Sequence, residues 1–362
     1  TDLNSTLNTS GTVSLDGSAN ELRFYEGSNY VGFEAPSLSG DQVWALPTAD
    51  GSANQVLKTD GSGALSWSSA ATSVNGLSDA LVEDTGSMYI GNDPSSTTDA
   101  ADYNVAVGTT ALSSVTTGDN MTAMGYNALK NNTTGSENIA IGYEALRDNV
   151  SDVGNVAIGY QSMLDANGAE YNTAVGNNAL RGTNNTNITG DENVAVGAGS
   201  MKLNIAGAQN SAVGRYSLYT NTSGTNNTAL GYRSLLSNTT ASYNTAIGAD
   251  ALYDAARTAD ADGYNVGLGY NAGNTGTNDI TTGNKNTLLG ASTAASAAAG
   301  TNQTVIGYGA SGKGDNTVTI GNGDITLWSA ADDGEVDLGS SSVEFKDLYV
   351  DGVAYTDALG FG

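Results

Sequence analysis

The stretch SENIAIGYEALRDNVSDVGNVAIGYQSMLDANGAEYNTAVG, residues 136–176, contains one short motif three times. The motif is Asn-x-Ala-(Val/Ile)-Gly, and its three copies end at Gly142, Gly159 and Gly176, which are 17 residues apart. A fixed period of this length is typical of stacked like units and not of a globular enzyme core. The sequence therefore predicts an all-β chain built around a parallel β-solenoid with 17-residue coils.

The same glycine recurs over most of the chain. Successive spacings are 17, 17, 17, 17, 17, 21, 17, 17, 17, 21, 21, 17 and 14 residues. The three 21-residue steps indicate a 17-residue unit with four extra residues in one loop. We therefore expect the solenoid over residues 88–323, after a connector at residues 71–87 in which Asn75–Val82 forms a short helical turn. The repeat glycines are Gly91, Gly108, Gly125, Gly142, Gly159, Gly176, Gly197, Gly214, Gly231, Gly248, Gly269, Gly290, Gly307 and Gly321.

Each unit carries an alternating triplet just before its glycine, such as Val105-Ala106-Val107 or Ile139-Ala140-Ile141. Alternation with period two is typical of a β-strand whose two faces differ. We expect the two larger side chains to point into the coil and the alanine to point outward against a sister chain. The alanines are Ala106, Ala123, Ala140, Ala157, Ala174, Ala195, Ala212, Ala229 and Ala246.

Three further positions of the unit have predicted roles. The repeat glycine permits a turn with positive φ. A leucine four residues later is expected as a second inward anchor, at Leu112, Leu129, Leu146, Leu180, Leu218, Leu235 and Leu252. The asparagine four residues before the glycine is expected to form a hydrogen-bonded ladder from coil to coil. Its copies are Asn104, Asn138, Asn155, Asn172, Asn193, Asn210, Asn227, Asn244, Asn265 and Asn286.

The stack is predicted to change near its end and to be flanked by other β structure. The alanine position becomes Gly267, Leu288, Val305 and Thr319, which indicates a different packing mode there. Residues 1–70 form a predicted all-β module and residues 324–362 a second one. The expected strands are Glu21–Tyr25, Tyr30–Glu34, Gln42–Leu46, Gln55–Lys58 and Ala64–Trp67 in the first module, and Ile325–Trp328, Glu335–Leu338 and Val343–Tyr349 in the second.

Composition excludes several classes of function. The chain has no cysteine and no histidine, which removes thiol chemistry and the commonest general base and metal ligand. Twelve Lys and Arg residues face 38 Asp and Glu residues, for a net charge of −26, which argues against partners such as nucleic acid or anionic membranes. No apolar run approaches the roughly 20 residues of a membrane span.

No motif nominates a catalytic, cofactor-binding or metal-ligating residue. Gly307–Gly312 fits Gly-x-Gly-x-x-Gly, but its first glycine is the repeat glycine and no helix is expected after it. Two acidic groups have the composition of a Ca²⁺ site or of a solvated loop: Asp332, Asp333 and Glu335, and Asp260 and Asp262 with Asn265. No pair of carboxylates stands out for glycoside hydrolysis. We expect neither cofactor nor metal.

A tyrosine column follows the repeat glycine. Its members are Tyr126, Tyr143, Tyr160, Tyr232, Tyr270 and Tyr308. Such a column could stack on sugars, although packing of each ring on its neighbouring coil is the commoner role.

The units of the form Asn-Thr-Ala-Ile-Gly-Tyr-x-Ala-Leu resemble the head repeats of trimeric autotransporter adhesins of the YadA type, as in residues 120–129 and 136–146. That resemblance implies a left-handed parallel β-roll and a homotrimer. The flanking stretches at residues 22–36, 44–67, 74–94 and 337–352 resemble modules of bacteriophage tail fibres. The family repeat is shorter than 17 residues, so a longer loop is expected here.

The expected function is therefore that of a non-enzymatic, homotrimeric fibre protein of a phage tail or related appendage. It would be a virion component that serves as a rigid spacer and adheres to a host glycan or protein, with other tail or baseplate proteins as partners. Two alternatives stay open: a bacterial surface adhesin or filament subunit, and a polysaccharide-degrading β-helix.

Overall fold

The computed structural model describes residues 21–26, 29–34, 45–53, 55–62, 64–69, 80–82, 86–91, 101–183, 186–255 and 263–329, and a few positions between 340 and 351. Regular structure in these residues is entirely β, and they include no helix that could cross a lipid bilayer. The chain divides into two compact units, residues 1–78 and 79–362.

The first unit contains two antiparallel strand pairs. Strand β1 (Glu21–Glu26) pairs with β2 (Asn29–Glu34), and β3 (Gln55–Thr59) pairs with β4 (Leu65–Ser69). In the turn between β3 and β4, the Asp60 carboxylate accepts hydrogen bonds from the Ser62 side chain and backbone, which lower its pKa. Four of the five strands predicted here are confirmed. Of the fifth, only Ala45 and Leu46 are described, and Ala45 forms an isolated bridge with Ala64.

The second unit begins with a strand where a helical turn was expected. Strand β5 (Ala80–Val82) pairs antiparallel with β6 (Met88–Ile90), so the prediction for Asn75–Val82 is wrong in its described part. The physical reason is that β6 starts the stack and would otherwise leave a free edge, which β5 covers.

From β6 onward, fourteen short parallel strands form the solenoid. Each pairs in register with the strand one coil later, so that Ala140 lies opposite Ala157 and Ala157 opposite Ala174. The predicted parallel β-solenoid is confirmed. After β6 the strands are β7 (Val105–Val107), β8 (Thr122–Met124), β9 (Ile139–Ile141), β10 (Val156–Ile158), β11 (Thr173–Val175), β12 (Val194–Val196), β13 (Ser211–Val213), β14 (Thr228–Leu230), β15 (Thr245–Ile247), β16 (Val266–Leu268), β17 (Thr287–Leu289), β18 (Thr304–Ile306) and β19 (Val318–Ile320).

The predicted orientation of these strands is wrong. The central alanine points into the coil: Ala140 is fully buried, while its neighbours Ile139 and Ile141 lie on the outer surface and are exposed and half-buried. The same holds at all nine alanine positions, which are at most 1% exposed. The alanine is therefore an interior residue and cannot contact a sister chain.

Alanine fits the centre of each strand because the leucine of the same coil fills the interior space beside it. A Cβ atom added at Gly267, the alanine position of its coil, would lie 2.7 Å from Cγ of Leu252. In the next coil the sizes are exchanged: Leu288 is fully buried and Gly273 stands where other coils have leucine. The expected change near the end of the stack is present, but it is a change of interior packing. The leucine anchors themselves are confirmed, since all seven are fully buried.

The repeat glycine is required by both its backbone angle and its neighbours. Gly142 has φ of 136°, and a Cβ atom there would lie 2.4 Å from the carbonyl oxygen of Gly159 in the next coil. The buried leucine is also left-handed, with φ of 49° at Leu146. Left-handed residues turn each coil tightly enough to place successive glycines on top of one another.

Two asparagine ladders bind the coils together. In the predicted one, Oδ1 of Asn155 accepts a hydrogen bond from the Asn172 backbone N–H at 2.9 Å, and Nδ2 of Asn155 donates to the Ala169 carbonyl at 2.7 Å. The second, seven residues after the glycine, was not predicted; there Nδ2 of Asn132 donates to Oδ1 of Asn149 at 2.9 Å. Recurrence of Asn at that phase was the sequence signal for it.

The flank beyond β19 departs from prediction. Residues 325–329 contain no strand, so the strand expected at Ile325–Trp328 is wrong. The chain bends at Gly321, with φ of 87°, and folds Ile325 back onto that glycine. Within the described part of 340–351, Ser340 and Val343 form an isolated bridge, and Glu335–Leu338 lies outside the described residues.

Candidate functional site

The motifs weighed for chemistry have structural roles where they are described. Gly307 is the turn after β18, no helix begins in residues 307–329, and Gly312 packs against the side-chain amide of Gln303. Asn265 is a buried rung of the ladder rather than a loop ligand, because its Oδ1 accepts from the Asn286 backbone at 3.1 Å. The acidic residues Asp260, Asp262, Asp332, Asp333 and Glu335 lie outside the described residues. The described part holds no group of three acidic side chains placed for a metal.

The outer face of the solenoid sheet carries an aliphatic stripe. We define it as the last residue of each of the fourteen strands β6 to β19, and every one is Val, Ile, Leu or Met. These side chains are partly or well exposed, from half-buried Ile141 to Ile320 at 52%. At about 4.8 Å per strand, the stripe is roughly 60 Å long. A continuous apolar surface of this size marks an interaction site on a soluble protein.

The tyrosine column is exposed and stacked on itself. The ring centroids of Tyr126 and Tyr143 are 5.4 Å apart, and those of Tyr143 and Tyr160 are 5.2 Å apart with planes only 8° from parallel. The charge of Glu144 beside it raises the pKa of Tyr143. These three rings stack on one another from coil to coil and also offer flat aromatic surface to solvent. No such stack is formed at Tyr232, Tyr270 and Tyr308, since the adjacent coils carry no tyrosine at that position.

A second surface was missed by sequence reasoning, although the sequence contains its signal. Residues 193–249 contain no Asp or Glu, whereas the whole chain has 38 such residues in 362. The same segment contains three basic residues, one in each of three successive coils: Lys202, Arg215 and Arg233. The acidic chain therefore has a long acid-free section near the middle of its solenoid, which we call the cationic belt. A shorter one, residues 280–314, carries Lys285 and Lys313.

The basic side chains of the belt lie on tyrosine rings. The guanidinium of Arg215 sits 4.5 Å from the Tyr216 ring centroid and donates to its hydroxyl at 3.0 Å. Arg233 lies 4.7 Å from the Tyr232 ring centroid, and the amine of Lys202 is 5.7 Å from that of Tyr219. Tyr216 and Tyr219 meet edge to face with centroids 5.4 Å apart.

The charges of the belt are not all neutralised. Arg233 forms an ion pair with Asp250 at 2.7 Å, and this hydrogen bond raises the arginine pKa. Neither Lys202 nor Arg215 forms an ion pair with a described carboxylate. The hydrogen bond to Tyr216 raises the pKa of Arg215, which is fully charged at any physiological pH.

No protein-family description matches this chain, and no curated protein is similar to it in sequence. Its resemblance to adhesin head repeats and to tail-fibre modules therefore rests on the repeat units and flanking stretches themselves. Besides the tyrosine column, the solenoid has two exposed surfaces suited to a partner, the aliphatic stripe and the cationic belt.

Proposed function

We propose that this chain is a non-enzymatic fibre protein of a phage tail or related appendage, and that it assembles as a homotrimer through the aliphatic stripe. It is a rigid spacer of the virion that also adheres to the host surface, held at its ends by other tail or baseplate proteins. The observation that carries the proposal is the stripe, an unbroken apolar column on the outer face of a regular stack.

Copies of the same chain are the partners that fit the stripe best. Identical stacks have identical strand spacing, so each aliphatic side chain can meet its own counterparts around an axis parallel to the rod. Burying the exposed part of one such side chain contributes about 0.6–1.2 kcal/mol, since full burial contributes about 1.5–3. Fourteen of them give on the order of 8–17 kcal/mol per chain, comparable to the roughly 4–15 kcal/mol cost of association. The number three follows from the resemblance.

The test is the solution mass of the full chain by light scattering coupled to size exclusion. One chain is 36.5 kDa, so the trimer is expected at about 110 kDa, three times that value. The double variant Ile158→Asp with Val175→Asp places charges in the stripe and should reduce the mass to one chain. The matched control, Thr134→Asp with Ser151→Asp, adds the same charges at exposed loop positions and should leave three chains.

A monomer at micromolar concentration would overturn the proposed assembly, and a mass of two chains would overturn its threefold order. The adhesive role is tested separately, by binding of the labelled trimer to host cells. The competing β-helix enzyme predicts release of reducing sugars from host polysaccharide.

A further inference from the structure

We infer that the cationic belt is a binding site for an acidic polysaccharide lying along the rod. This inference names a ligand class for the adhesive role proposed above and in that respect rests on it. The site consists of Lys202, Arg215 and Arg233 with the rings of Tyr216 and Tyr219.

The charge of the belt favours binding of an anionic ligand. The long-range field of a chain with net charge −26 repels polyanions, and a local section without acids is where that repulsion is weakest. The described carboxylates with bonds to residues 193–249 lie at the edges of that segment: Glu192 accepts from Gln209, Asp254 from Ser237, and Asp250 is engaged by Arg233. Lys202 and Arg215 stay available to bind carboxylate or sulfate groups.

The spacing of the belt selects a linear polymer. Its three cations come from three successive coils, which rise by about 4.8 Å each, and they stand five, one and two residues after the repeat glycine of their coil. A chain with regularly placed anions can meet Lys202 and Arg215 together and continue past Arg233, whose charge Asp250 already engages. A small anion could engage only one of them.

The aromatic rings of the belt select a sugar chain. Tyrosine rings present flat apolar surface with a polar edge, the complement of a hexose face and its hydroxyls. Tyr216 is held in place by Gly199 of the preceding coil, where a Cβ atom would lie 2.7 Å from the ring. Other coils carry a side chain at that position, for example Glu144 and Gln161, so Gly199 makes room for this ring. The belt is thus an ordered surface and not only a local excess of charge.

The experiment measures binding of the full chain to immobilised alginate, heparin and dextran, which are carboxylated, sulfated and neutral. We expect binding to the acidic polymers, weakening with salt, and none to dextran. Arg215→Ala and Lys202→Ala should each weaken binding about tenfold, the loss of one charge-assisted contact. The control is Lys130→Ala, because Lys130 occupies the same repeat position as Lys202 outside the belt; it should change affinity less than about twofold.

The alginate and heparin arms identify the anion, and binding to either one supports the inference. Equal binding to dextran would overturn it, as would an equal loss in Lys130→Ala and Arg215→Ala, or absence of binding to both acidic polymers. Tighter binding to single-stranded DNA than to the polysaccharides would also overturn it. The mass measurement separates the two proposals. A trimer that does not bind acidic polymers would refute only the binding site proposed for the belt, and a monomer that binds them would refute only the proposed trimer.

Discussion

Neighbouring asparagines at the coil boundary give the sharpest test of the ladder. Asn227 is a buried rung: its Oδ1 accepts from the Asn244 backbone N–H at 2.9 Å, and its Nδ2 donates to the Ala241 carbonyl at 2.9 Å. Asn226, one residue earlier, is exposed and left-handed, with φ of 57°. The same substitution at these two sites changes the same atoms in opposite environments.

Replacing Asn227 by Ala leaves the buried Asn244 N–H without its partner and removes the two hydrogen bonds that Nδ2 donates, to the Ala241 carbonyl and to Oδ1 of Asn210. The Ala241 carbonyl keeps a bond from Asn238 at 3.0 Å. The orphaned N–H costs about 1–3 kcal/mol and each lost bond about 0.5–1.5 kcal/mol, so the expected destabilisation is about 2–6 kcal/mol. Asn226→Ala removes only an exposed hydrogen bond from Nδ2 to the Thr225 hydroxyl and should lower the free energy of unfolding by less than about 1 kcal/mol.

Asn227→Asp adds a pH dependence whose sign follows from burial. The carboxylate would face the Ala241 carbonyl in a buried site, so the pKa of the new group is raised above its unfolded value of about 3.9. Stability is then retained below about pH 4 and lost as pH rises through the raised folded pKa. Asn226→Asp should show no such loss.

The assay is chemical unfolding followed by circular dichroism at pH 4 and pH 7, with amide exchange of the Asn244 N–H as a local readout. Exchange is needed because repeat arrays can open locally instead of in two states. Equal effects of the two substitutions at pH 7, or unchanged protection of Asn244 in Asn227→Ala, would refute the ladder as a source of stability.

Three further expectations can be checked by the same unfolding assay. Gly159→Ala should destabilise the stack by several kcal/mol, because φ is 134° and the new Cβ would lie 2.5 Å from a carbonyl oxygen of the next coil. The control Gly276→Ala, in open space at φ 80°, should cost only about 1 kcal/mol. Similar costs for the two variants would contradict the stacking argument. Leu146→Ala should cost about 2–5 kcal/mol by opening a cavity, and a cost under 1 kcal/mol would contradict its interior placement. Desolvation and then the charge of Asp279 raise the pKa of Asp254, so its contribution to stability is lost as pH rises above about 4. Asp254→Asn should therefore be more stable than the wild type between pH 4 and 7, by less than about 1 kcal/mol because the group is largely solvated. Equal stability of the two proteins would refute the assigned cause.

Part of the cationic belt can be found from the sequence. The gap in acidic residues between Glu192 and Asp250 is visible in the printed chain. The contact of Arg215 with Tyr216 joins sequence neighbours and can be guessed from the chain. That Gly199 seats the Tyr216 ring and that Lys202 lies over Tyr219 depends on which residues the coil period brings together in space. These contacts join residues from neighbouring coils, so no local pattern contains them.

From the order of residues alone one can predict the period, the parallel stack, the position of the turn glycine, the leucine anchor and one asparagine ladder. Each of these repeats at one phase, and a repeated phase leaves a single way to stack like units. Alternation also showed that the two faces of every strand differ, as Ile139-Ala140-Ile141 illustrates.

Which of those two faces lies inside depends on the space within the folded coil. Both are apolar, so transfer from water favours burying either one, and hydrophobicity by itself favours the larger side chains. The coil is too narrow for them once Leu146 and its equivalents occupy the interior, and close packing admits only a methyl group beside each leucine. The larger residues are displaced to the outer surface, where they form the aliphatic stripe.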